Sequence, residues 1–173
     1  MFEITKAYAQ SIPAVRFIGI KYADEDRVDG GFGCKWGEWF ENNRFEKLEA
    51  LQKDDLNKTY EDAGAYLGFM RWKEGEPFQY WIGMFLPAGT TVPEGYDYVD
   101  MPEAKLGVCW LHGPEGELYC KEDKCAERIS QEGYEILEDG QGAWYFFERY
   151  ACPRFTTPDE NGQVILDICH YIK

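Results

Sequence analysis

The chain has 173 residues, of which 45% are hydrophobic and 29% charged. This is the balance of one folded domain that can bury about 70% of its unfolded surface, and it excludes a disordered chain. Eighteen basic against 32 acidic side chains leave a formal charge of −14, which repels phosphate backbones and anionic lipid surfaces but admits cationic partners. Direct nucleic-acid binding is therefore not expected. No run approaches the ~20 apolar residues of a membrane span, and Met1–Lys6 does not open a basic region followed by an apolar run. The expectation is a cytoplasmic protein with no membrane contact.

Along the chain, Ile12 to Tyr22 reads as a strand entered through Pro13, and an acidic, glycine-rich loop follows from Asp24 to Gly33. Trp36, Phe40, Phe45, Leu48 and Leu51 then form a helical stripe, which Trp39 widens. Tyr66–Trp72 and Phe78–Leu86 read as a hairpin around Lys73–Pro77. After the connector Pro87 to Tyr96, a strand is expected over Pro102–Leu111 and a helix over about Gly116–Gln131, closed by Gly133. Trp144–Ala151 and Val164–Ile172 are the last two strands. Strand-helix-strand-strand thus occurs twice. Ile12-Pro13-Ala14-Val15-Arg16-Phe17 matches Met101-Pro102-Glu103-Ala104-Lys105-Leu106 in pattern, which supports an internal duplication with halves near 1–88 and 89–173 of a single domain. The expected fold class is α+β, an antiparallel sheet with helices on one face.

Common catalytic patterns are missing: there is no GxSxG elbow, no phosphate loop and no HExxH helix. Gly30-Gly31-Phe32-Gly33 lacks the lysine of a phosphate loop and reads as a solvated turn. Six cysteines contain no CxxC pair, Cys120 and Cys125 do not share a helical face, and Cys169 and His170 should point to opposite sides of a strand. Neither a metal nor a cofactor is expected, and the cysteines read as reduced thiols.

Trp144-Tyr145-Phe146-Phe147-Glu148-Arg149-Tyr150 is the informative segment. Strand alternation puts Trp144, Phe146, Glu148 and Tyr150 on one face. A carboxylate in a row of rings loses hydration and seeks a cation or a proton. Glu148 is then either a surface residue paired with Arg149 or a buried carboxylate that neutralises a planar cationic guest. Tyr66, Trp81 and Trp110 on strands and Trp39 on the first helix could complete an aromatic box, or could belong to the core. Six tryptophans and twelve tyrosines, with their polar handles, suit a half-wet pocket.

Val92-Pro93-Glu94-Gly95, Met101-Pro102-Glu103-Ala104-Lys105, His112-Gly113-Pro114, Gly133-Tyr134-Glu135 and Glu148-Arg149-Tyr150, in that order before a last strand Ile165–Ile172, resemble the GyrI-like small-molecule-binding domain. This domain, also called the bacterial effector-binding domain, occurs at the C-terminus of AraC- and MerR-type regulators and in standalone proteins. The resemblance covers essentially the whole chain. It implies a duplicated unit forming a pseudo-two-fold sheet with a cleft between the halves, and it implies that Glu148 lies in an aromatic cleft that receives lipophilic cations. No helix-turn-helix or basic region precedes the domain.

Three functions remain open at this point. One is a binding or sensing module for hydrophobic, often cationic, aromatic small molecules, with Glu148, Trp144, Phe146, Tyr150, Tyr66, Trp81, Trp110 and Trp39 as candidate contacts. Another, which the resemblance implies because some standalone relatives act this way, is a hydrolase of reactive cyclopropane-containing genotoxins, with Glu148 as general base. The last is an acidic module that docks a regulator protein or gyrase.

Overall fold

Pro13 does not open a strand but separates two of them. In the computed structural model, which describes Met1–Lys173, β1 (Glu3–Ile12) and β2 (Val15–Tyr22) flank it. There follow α1 (Gly33–Glu41), α2 (Arg44–Glu49), α3 (Asp54–Thr59), β3 (Tyr66–Lys73), β4 (Gln79–Pro87), β5 (Asp97–Met101), β6 (Ala104–Gly113), α4 (Glu122–Gln131), β7 (Ala143–Tyr150) and β8 (Val164–Ile172). The class is α+β. Each unit carries one strand more in front than the strand-helix-strand-strand order, namely β1 and β5. Both are sheet edges in which apolar and polar residues follow no regular alternation, so neither shows the pattern that marks a strand.

All eight strands form one antiparallel sheet in the order β1-β6-β8-β7-β3-β4-β2-β5. Exchanging β1–β4 with β5–β8 reproduces that order read from the other edge. A pseudo-two-fold therefore passes between β3 and β7, the central pair, and each unit lends its first strand to the other unit's edge. No helix is long and apolar enough to cross a membrane.

The single stripe from Trp36 to Leu51 is broken into two helices. Asn43 adopts a left-handed conformation (φ 51°), which asparagine tolerates better than most residues, and this turns the chain between α1 and α2. The second helix starts later than Gly116: a 3-10 turn occupies Glu115–Glu117 and α4 begins at Glu122. Its end follows the sequence reading. Gly133 (φ 94°) donates to Ser130 O and Tyr134 N donates to Ile129 O, a paired arrangement that satisfies the last carbonyls.

Strand alternation divides the sheet into two faces. Leu67, Phe69, Phe85, Phe147 and Phe17 point to one side and build the larger core, to which α3 adds Leu56. On the other side α1 and α2 pack Trp39, Phe45 and Leu48 on Ile18, Ile82 and Met84. There α4 packs Cys125 on Cys109, Leu111 and Leu166. Gly107 allows its close approach, because a Cβ there would meet Ile129 Cγ2 at 2.8 Å. The helices thus cover the flanks of this face, and the middle strands form the floor of a gap between them.

Candidate functional site

The gap is a cavity of about 1240 Å³ with mostly apolar walls, roomier than the roughly 300–1,000 Å³ of most small-molecule sites. Its floor is the even-numbered side of the central strands: Tyr66 and Met70 of β3, Tyr80 and Met84 of β4, Phe146, Glu148 and Tyr150 of β7, and His170 of β8. Trp36 and Phe40 of α1 form one wall, and Glu122 and Ala126 of α4 form the opposite one.

Glu148 stands at the centre, 7% exposed. Tyr150 donates its hydroxyl to Glu148 Oε2, and the Tyr80 hydroxyl approaches the same oxygen at 3.4 Å. Trp36 Nε1 donates to Tyr80 Oη at 3.0 Å, so a chain of donors from α1 orients the carboxyl. The rings hold one another in place: Phe32 stacks on Tyr80 (4.2 Å), Trp36 meets Tyr150 edge-on (4.9 Å), and Phe155 meets Tyr150 from the other side (4.7 Å). Tyr66 stacks on Phe45 and donates to Glu49 at the cavity margin.

No basic side chain pairs with Glu148. Arg149, the neighbour in sequence, points through the sheet to the opposite face, where it donates to Asp167 (2.7 Å), Tyr60 (2.8 Å) and Gln10 (2.7 Å). Burial pushes the Glu148 carboxyl up to about 7; its bond from Tyr150 opposes the rise and the charge of Glu122 adds to it. Burial raises Glu122 as well. Five carboxyls line the cavity, at Glu49, Glu115, Glu122, Asp123 and Glu148, against one fixed cation, Arg27. Arg27 is already engaged with Asp24 at 2.9 Å and lies over the Phe32 ring. The cavity is therefore acidic and aromatic, and its central carboxyl has no basic side chain beside it.

Of the sequence-derived candidates, the structure brings five together on the cavity: Glu148, Trp144, Phe146, Tyr150 and Tyr66. Three rings lie elsewhere. Trp81 belongs to the core of the opposite face, edge-on to Phe17. Trp110 is also on that face, beside Tyr8 and under Lys6 and Arg154. Trp39 is fully buried beneath α1, donating to Tyr22 Oη at 2.9 Å. The cavity instead uses Trp36, one helical turn before Trp39, and Tyr80, one residue before Trp81. In β4 both faces are apolar, so alternation has no visible phase and the choice between positions 80 and 81 carries no signal. Glu122 and His170 were also not anticipated as part of the site. Cys169 and His170 do point to opposite faces, the thiol into the core and the imidazole onto the cavity.

No protein-family model matches the sequence, and no curated protein is similar to it at a significant level. Solved structures share the fold. The chain is similar to a putative bacterial transcription regulation protein from Staphylococcus aureus MU50, with TM-score 0.64 and 17% identity over 97% of this chain and 98% of that one. It is similar to SAV2435 bound to tetraphenylphosphonium, with TM-score 0.69 and 17% identity over 98% and 94%. It is also similar to EcmrR in a DNA complex, with TM-score 0.57 and 11% identity over 97% of this chain but 57% of EcmrR.

Proposed function

We propose that the cavity binds hydrophobic aromatic cations and that the chain works as a small-molecule effector-binding module of the GyrI-like kind. The observation that carries this reading is the buried, cation-free Glu148 carboxyl, held by Tyr150 and Tyr80 among aromatic walls. A desolvated carboxylate gains its missing counter-charge when a cation enters, and each ring face adds about 0.5–2 kcal/mol to a desolvated cation. A broad aromatic surface with few directional groups favours breadth of ligand over selectivity. SAV2435, with the same fold, is seen with tetraphenylphosphonium, a lipophilic cation of this chemical class. Glu148, Tyr150, Tyr66, Phe146 and Trp144, with Trp36 and Tyr80, are the proposed contacts.

Fluorescence titration with rhodamine 6G, beside a neutral analogue, tests the reading. The cation should bind in the micromolar range and the neutral compound more weakly, with the preference lost in Glu148→Gln. Equal loss for both compounds would remove the charge argument.

A second reading rests on the Glu148 carboxyl being held at about 7, where a general base for water works well. Hydrolysis of a cyclopropane-bearing electrophile, abolished in Glu148→Gln, would favour it. Stoichiometric binding without product would count against it.

A further inference from the structure

Among the polar groups of the cavity floor, the His170 imidazole is the one without a hydrogen-bond partner. It pairs in register with Phe146 across β7–β8 and its ring stacks on that of Phe146 at 5.5 Å, with a 15° angle between planes. The residue is 5% exposed and neither ring nitrogen has a hydrogen-bond partner; Nδ1 has no accessible surface, which leaves Nε2 as the nitrogen that can meet a ligand. A phenylalanine would give the same stacking without the cost of an unmade bond, so packing does not account for an imidazole here. Burial pushes its pKa down to about 4, so the ring is neutral near pH 7 and does not compete with a cation for Glu148. Glu148 pairs with Ile168, two residues before His170, which makes Glu148 and His170 diagonal neighbours on one face, roughly 7–8 Å apart at the backbone. The cation-free carboxyl and the unpartnered imidazole therefore share one face as diagonal neighbours, with Phe146 next to each of them.

We infer that His170 is a second recognition point, and that the preferred ligand is an aromatic monocation whose ring system also carries a neutral hydrogen-bonding group, such as a hydroxyl, one ring's length from the charge. The inference rests on the cation-binding reading above and deepens it: Glu148 meets the charge, Phe146 packs against the linking ring, and His170 Nε2, the ring nitrogen that keeps accessible surface, bonds the polar substituent. A neutral imidazole can accept from a hydroxyl or, in its other tautomer, donate to it.

A matched pair of probes separates the two ideas. Tetraphenylphosphonium and its (4-hydroxyphenyl)triphenyl analogue have the same charge and nearly the same shape. Isothermal titration of the full chain at pH 8 should show the hydroxylated probe binding about three- to ten-fold tighter, the value of one net hydrogen bond. In His170→Phe that ratio should fall to about one, and in His170→Gln, which keeps a polar atom near the Nε2 position, it should return in part. Should either variant fail to fold, the ¹⁵N signals of the His170 ring in the unmodified protein give the same answer, since His112 is the only other histidine. They should move with the hydroxylated probe and stay largely in place with tetraphenylphosphonium. Binding of both probes with equal affinity, or a ratio that survives in His170→Phe, overturns the role of His170 and leaves the cation site standing. Failure of both probes to bind overturns the cation reading and this inference with it.

Discussion

Gly68 faces Glu148 across the central β3–β7 pair. A Cβ on Gly68 would stand 2.4 Å from Tyr80 Oη and 3.0 Å from Glu148 Oε2, so the absent side chain is the space in which the hydroxyl and the carboxyl meet. Tyr80 cannot yield cheaply, because Phe32 stacks on its face and Trp36 donates to its oxygen. Gly68→Ala should therefore displace the donors from the carboxyl, costing about 1–3 kcal/mol of stability and at least about ten-fold in cation affinity. Urea unfolding and dye titration check the two effects. A folded Gly68→Ala protein with unchanged affinity would show that the arrangement around Glu148 does not control binding.

The same carboxyl gives the unliganded protein a pH signature. Its pKa, about 7 in the fold, lies above the ordinary value of 4.5, so the folded chain holds a proton that the unfolded chain has lost. Stability from this group is greatest below about pH 4.5, declines as pH rises toward 7 and is flat above, a total of roughly 3 kcal/mol. His170 acts in the other direction: its pKa drops from 6.5 to about 4, and its contribution grows as pH rises through that interval. Glu148→Gln should be the more stable protein at pH 8 by up to roughly 3 kcal/mol, while losing the cation preference. Urea unfolding at pH 5, 6.5 and 8 should show the His170 rise unmasked in the variant. Equal stability of variant and parent at pH 8 would mean that the carboxyl is better solvated than its burial indicates.

Cation affinity should climb with pH. Below about 7 a cation must displace the Glu148 proton, so the dissociation constant should improve by up to about ten-fold per pH unit and level off above 7. Glu122, also raised by burial, faces the same space; Tyr80 and Tyr150 stay protonated, and His170 stays neutral. Titrations between pH 6 and 8.5 with a permanently charged dye would show this rise. A neutral analogue should show little of it. A flat profile for the dye would remove Glu148 proton release from the binding step.

What the sequence made legible, and what it did not, follows from how residues signal their surroundings. The β7 face was readable because Glu148 interrupts a run of rings, so the alternation of Trp144, Phe146, Glu148 and Tyr150 has a visible phase. In β4 both sides are apolar and no such marker exists, which is why Trp81 looked as good as Tyr80. The helical stripe showed that α1 faces the sheet. Trp36 and Trp39 sit one turn apart in the same helix, so the apolar stripe does not say which of them reaches the cavity. β1 and β5 were invisible because apolar and polar residues do not alternate regularly along these edge strands, so the period of two is lost. His170 had no signal in sequence at all: an imidazole next to a cysteine reads the same whether its nitrogen is satisfied or not.

The tryptophans offer a final check, because the structure separates them by location. Trp36 and Trp144 line the cavity, whereas Trp81 lies on the opposite face of the sheet, 4% exposed. A ligand stacked beside Trp36 should quench its emission strongly, being near both its ring and the Tyr80 oxygen to which it donates. Trp36→Phe should remove the larger part of the ligand-induced quench and, by freeing the Tyr80 hydroxyl, weaken cation binding about three- to ten-fold. Trp81→Phe should keep the quench. Its expected defect is in stability, about 1 kcal/mol or more for a smaller ring in a packed core. Loss of the quench in Trp81→Phe with retention in Trp36→Phe would place the ligand on the other face of the sheet, against the larger core, and would overturn the assignment of the site to the cleft between the helices.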